Sequence, residues 1–199
     1  MALVDRVRNI CVSPATEWAV IEQERAEPAE LTVSYLAPLA AIGAVAGFVG
    51  ATALRSVMPF MGGGITGFIA SLIGACVGFV MTIVGCYVIA FIINALAPTF
   101  GAKPDFNQAF KTSIYSYTPG LVAGVLQIMP ILGGFIAIIA GLYGLYLLYV
   151  GLPITMKAPR DKSAAYTAVI VIASIVLMLA VMFIMGIFGV MGAMGSRLL

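Results

Sequence analysis

The chain has 199 residues, of which 62% are hydrophobic and only 9% charged, with a net charge of +2. A typical soluble domain is about a quarter charged, so an ordinary water-soluble fold is excluded, and so small a positive balance gives no footing for nucleic-acid binding. Histidine is absent, and Cys11, Cys76 and Cys86 are too scattered for a disulfide framework or a metal site.

Four stretches, Leu31–Leu54, Ser56–Ala102, Thr112–Met156 and Ser163–Ser196, carry no charge and hold 150 of the residues. About 20 apolar residues cross the hydrocarbon core, and a charge at its centre costs a few kcal/mol or more. The pattern is that of an all-α, polytopic helical bundle in a membrane. Residues 1–30 are too short for an independent soluble domain, and their six acidic groups do not fit a cleavable secretory signal. Leu3, Val4, Val7, Ile10 and Cys11 fall near one helical face beside Arg6 and Arg8. Ser13-Pro14 reads as a cap and first-turn pair, followed by Trp18 and Ile21 among Glu17, Glu22 and Glu24. Two short helices at the inner surface are expected, the first suited to anionic lipid, with a partly disordered lead-in as the alternative.

Leu31–Leu54 has the length of one span, with Pro28 before it and Pro38 inside as a candidate kink. Arg55 closes it, and Met58-Pro59-Phe60-Met61-Gly62-Gly63-Gly64 reads as a turn or short re-entrant piece. Ile65–Ala97 would make a helix of roughly 50 Å against a core of about 30 Å, yet it is too short for two spans and a turn. It reads as one span with an apolar extension past Asn94 that stops at Pro98. Asp105 is a fair N-cap, and Phe106, Phe110, Ile114 and Tyr117 repeat at helical spacing, which predicts an amphipathic interfacial helix feeding the next span.

Thr112–Met156 has room for a tight hairpin turning at Pro130, Gly133 and Gly134. Pro119 bends its first member, or begins a half-span if Thr118-Pro119 opens the helix. The expected organisation is two cytoplasmic interfacial helices in residues 1–30 and a single transmembrane domain over 31–199. Its spans fall near 31–54, 66–90, 112–129, 132–154 and 166–191, with six spans as the rival count. Eight of the ten lysines and arginines fall in segments that are inner if the amino end is cytoplasmic; only Arg55 and Arg197 fall outside. By the positive-inside rule the amino end is cytoplasmic and the carboxyl end is not.

Pro14-Ala15-Thr16-Glu17-Trp18-Ala19-Val20-Ile21 and Tyr35-Leu36-Ala37-Pro38-Leu39-Ala40 resemble the opening of bacterial members of the Ypt-interacting-protein (Yip) domain family. Tyr115-Ser116-Tyr117-Thr118-Pro119, Met129-Pro130, the run Tyr143 to Pro153, and Met156 to Lys162 followed by Tyr166 resemble its later half. The resemblance covers nearly the whole chain and implies five spans with a cytoplasmic amino end. It points to the compact bacterial type, in the bacterial inner membrane. Eukaryotic relatives associate with Rab-type GTPases and vesicle traffic. This chain lacks their long cytoplasmic amino-terminal region and a clear version of their aspartate-leucine-tyrosine and glycine-tyrosine motifs, which argues against GTPase binding.

Catalysis in lipid needs a histidine, paired carboxylates, a lysine or a metal, and no span contains one. Neither enzyme activity nor a cofactor is expected. Gly43-x-x-x-Gly47, Gly74-x-x-x-Gly78 and Gly120-x-x-x-Gly124 let helices approach closely, either within one protomer or toward a second copy or another membrane protein. Pro119, Pro130 and Pro153, with Asn94, Tyr117, Gln127 and Tyr143, are candidates for a cavity or hinge made by interrupted helices. The plain alternative is that these prolines simply form turns. Tyr143, Tyr146 and Tyr149 read as an aromatic belt or a stacking surface. Trp18, Lys157, Arg160 and Lys162 are candidate contacts for lipid or an acidic partner. Two functions follow: a non-enzymatic membrane organiser or adaptor that binds protein or lipid, or a small channel or transporter for ions, neutral solutes or lipid.

Overall fold

The computed structural model describes the backbone of residues 3–58 and 64–195, and the side chains of those residues apart from 178 and 180–195. Among them the fold is all-α, with no strand. Two short helices, α1 (Leu3–Val12) and α2 (Pro14–Gln23), precede five long ones. These are α3 (Pro28–Val57), α4 (Gly64–Leu96), α5 (Phe106–Ala123), α6 (Pro130–Thr155) and α7 (Arg160–Gly195). Three stretches, Pro28–Val57, Gly64–Phe100 and Pro130–Thr155, are long and apolar enough to cross a membrane. The glycine-rich segment expected to turn or re-enter after Met58 lies largely outside the described residues.

Four prolines show how the helices accommodate them. Pro28 and Pro130 sit in the first turn of α3 and α6, where the missing N–H costs no helical bond. Before Pro38 the chain widens to a π turn over Thr32–Leu36, which spreads the backbone where the proline ring would crowd it. Helix α5 runs through Pro119, so a helix beginning there is ruled out. At Gly124–Ile128 it tightens to a 3-10 segment that breaks at Met129. The charge-free run of α4 is one helix, finished by a 3-10 turn at Ala97–Phe100 and by Gly101 at φ +71°.

The N-cap at Asp105 forms, its side chain accepting from the Gln108 N–H at 3.1 Å. The helix it opens is not interfacial, however. Residues 109–116 are all buried, because α1, α4 and α6 surround the face expected to meet a membrane surface. Helix α5 is the central strut of the bundle.

The fully buried large side chains crowd toward one end. Trp18, Ile21, Leu36, Phe110, Ile114 and Leu147 form one cluster. Ile93, Leu152, Met156, Tyr166 and Ile170 form a second. The same end gathers α1, α2 and the turns between α4 and α5 and between α6 and α7. The Lys103 N–H bonds the Met156 carbonyl at 2.8 Å, and Lys157 pairs with Glu22 at 2.7 Å.

Candidate functional site

Beyond this packed end, the helices face one another with glycine, alanine and serine. Where small residues meet backbone, the chain closes. A methyl group at Gly50 would lie 2.1 Å from the Gln127 carbonyl oxygen, and one at Gly133 would lie 2.4 Å from that of Leu126. Gly144 is similarly tight, at 2.7 Å from the Ser116 carbonyl oxygen. At Gly74, Gly78 and Gly141, by contrast, a methyl group meets nothing within 4 Å among the described residues. Small residues therefore play two roles here: some bring backbones together, and others hold space open.

That space is a cavity of about 820 Å³. It is framed by Leu39, Gly43, Gly47 and Arg55 of α3, by Ser71, Gly74 and Gly78 of α4, and by Ser113, Ser116, Tyr117 and Gly120 of α5. Gln127 of the 3-10 segment, Ala137, Gly141 and Gly144 of α6, and Ile170 and Ser174 of α7 complete it. Along α3 it runs from Leu39 to Arg55, about 24 Å at about 1.5 Å per residue. Its volume falls within the roughly 300–1,000 Å³ of small-molecule sites.

The polar lining is sparse and almost wholly neutral. Ser71, Thr82 and Ser174 each return their hydroxyl to a carbonyl one turn back, and Ser113 donates to the Cys86 carbonyl at 2.8 Å. The Ser116 hydroxyl is buried with no hydrogen-bond partner among the described residues. Arg55 is the one charged side chain in the lining, and among the described residues it makes no ion pair.

At the end nearer α1 and α2 the cavity gives way to an aromatic layer. Tyr35 bonds Thr118 at 2.8 Å and meets Tyr115 edge-on at 4.9 Å; Trp18 meets Tyr115 from the other side at 6.3 Å. Over this layer Arg6 pairs with Glu17 at 2.5 Å and with Glu24, its guanidinium 5.6 Å from the Tyr115 ring centre. Burial opposes the Arg6 charge, but Tyr115, Glu24 and Glu17 together hold it above its ordinary range. Lys111 donates to the Ile21 and Glu24 carbonyls, closing the carboxyl end of α2. Burial pushes its amine below the usual lysine value, against the pull of Glu24, Asp105 and Glu22.

Of the residues expected from sequence to make a cavity or hinge, the lining includes Tyr117 and Gln127. Asn94, Pro119, Pro130, Tyr143 and Pro153 lie outside its lining. Tyr143 instead donates to the Cys11 carbonyl at 2.9 Å and so holds α1. Trp18 is no surface contact: it is fully buried, its ring seated in a notch that only Gly151 leaves open. Lys157 is committed to Glu22, whereas Arg160 and Lys162 are exposed. Sequence reasoning passes over Ser116 as a site residue and reads Arg55 only as the end of a span. The available signal is a lone cation closing a glycine-rich run.

The arrangement can enclose hydrocarbon, offer a few hydrogen bonds and meet an anion at one rim. A model of the Yip1 domain matches residues 8–193. No curated protein and no solved structure matches the chain. The helical architecture, the apolar long helices and this match over nearly the full length lead to one conclusion: the chain is an integral membrane protein and belongs to the Yip1-domain family.

Proposed function

We propose that this protein is a non-catalytic organiser of the bacterial inner membrane that works by holding a lipid among its helices. The observation that carries this reading is the cavity of about 820 Å³, kept open by Gly74, Gly78 and Gly141. Five long helices support five spans, and the gathering of eight cations toward α1, α2 and the adjoining turns supports a cytoplasmic amino end. Exposed Arg160 and Lys162 would then face the cytosol, available to an acidic partner or to anionic headgroups. A path for neutral solutes is the second reading, favoured by Gln127 and Tyr117 in the lining. The tightly packed aromatic and ionic layer at the inner end weighs against it.

Native mass spectrometry after extraction in mild detergent tests the first reading. Lipid is expected to stay with the unaltered chain and to be lost from the double variant Gly78→Leu, Gly141→Leu, whose side chains fill the space. A chain that carries no lipid, or one that carries it equally well in the double variant, would sink the idea.

A further inference from the structure

The proposed lipid reading leaves open which lipid the cavity selects, and the following rests on that reading. We infer that the cavity takes an acidic phospholipid, with its headgroup at Arg55 and one acyl chain along the glycine faces of α4 and α6.

The walls suit a hydrocarbon chain: apart from Arg55 and a few neutral polar groups, the lining is glycine, alanine and aliphatic or aromatic side chains along about 24 Å of α3. Length agrees as well, because the cavity extends through most of a core about 30 Å thick.

Charge selects the headgroup. Arg55 lies in the last turn of α3, where a cation complements the helix dipole. The dipole accounts for its position along the helix but not for its place in the cavity wall. A guanidinium offers a planar fork to a phosphate, and these charge-assisted bonds are among the strongest available. Gly50 packs against the Gln127 backbone, which sets Gln127 about five residues, or about 7.5 Å, deeper than Arg55 along α3. That is one headgroup-to-ester step, so the Gln127 amide meets the ester carbonyls while Arg55 meets the phosphate. At the far end, Ser116 belongs to the lining, is only 7% exposed, and its buried hydroxyl has no hydrogen-bond partner among the described residues. Tight packing alone would favour alanine there.

The test uses the full chain in phosphatidylcholine nanodiscs. These are doped with phosphatidylglycerol carrying a diazirine in one acyl chain, with phosphatidylcholine bearing the same chain, or with the diazirine fatty acid alone. Irradiation is expected to label peptides of α4 and α6, with the phosphatidylglycerol probe outrunning the other two. Arg55→Gln is expected to erase that preference by about tenfold, and Arg55→Lys to restore part of it. Gly78→Leu should lower labelling by every probe. Thermal-shift curves confirm that each variant is folded.

Equal labelling by the two phospholipids, sensitive to Gly78→Leu but not to Arg55→Gln, overturns the headgroup assignment and leaves the lipid reading standing. Stronger labelling by the fatty acid overturns the phospholipid. Labelling that neither variant alters removes both this inference and the reading beneath it.

Discussion

Arg6 and Glu17 are both about 6% exposed at the side chain, so each charge depends on the other for its solvation. Removing one member of such a pair leaves a bare buried charge and costs about 3–5 kcal/mol, whereas replacing both with apolar groups is often neutral. Arg6→Gln is therefore expected to release α1 and α2, seen as new cleavage near Ser13 in limited proteolysis and a lower Tm. The double variant Arg6→Met, Glu17→Leu is expected to keep both near the unaltered chain. If the single variant resists protease as well as the unaltered chain does, the pair is not what holds these helices down. From sequence these residues read as decoration on an amphipathic surface. Helical periodicity says which residues share a face, but not whether that face ends against lipid, water or protein. Trp18 escapes a sequence reading for the same reason: its partner, the bare notch at Gly151, lies 133 positions away.

Among the helices, glycine content is legible in the sequence and glycine purpose is not. The G-x-x-x-G spacing licenses close approach, yet methyl groups added to Gly74 and Gly78 of α4 would meet nothing within 4 Å among the described residues, while one added to Gly43 of α3, which lines the same cavity, would touch the Gly124 backbone at 3.6 Å. The difference can be measured as a sign. Gly151→Ala would put a methyl 2.8 Å from the Trp18 ring, and overpacking of this kind costs about 1–3 kcal/mol. Gly78→Ala meets nothing among the described residues and removes a flexible helix position, so it is expected to be neutral or mildly stabilising. Thermal unfolding in detergent should separate the two. Equal losses in both would mean that α4 packs as tightly as α6. The prolines are easier to read, because their effect is local: Pro28 opens its helix as expected, whereas Pro130, expected to turn the chain with Gly133 and Gly134, begins α6, which carries both glycines. Pro119 keeps two readings open because a proline in a long helix bends it without marking an end. The surroundings of α5, which the sequence does not display, carry it through.

At the scale of the whole molecule, the order of the long helices is readable because lipid punishes charge so severely that charge-free runs stand out. What covers what is not, since contacts between distant segments leave no periodic trace. The proposed orientation has a direct measurement. With Cys11, Cys76 and Cys86 replaced by serine, Ser56→Cys is expected to react with a membrane-impermeant maleimide on intact cells. Lys162→Cys is expected to react only after permeabilisation. The reverse pattern would invert the bundle and move the proposed headgroup contact at Arg55 to the cytosolic leaflet.

The seat of α1 and α2 has one more consequence, which concerns the order of assembly. Their anchoring bonds reach across 86 residues to Gln108, 90 to Lys111, 132 to Tyr143 and 135 to Lys157. A ribosome emits the first thirty residues long before any of those partners exist. The leading segment must wait, its ionic pair unshielded by the later helices, until α5 and α6 have been made. Closing so long a loop is slow, which makes the arrival of those two helices the event that seats the opening segment.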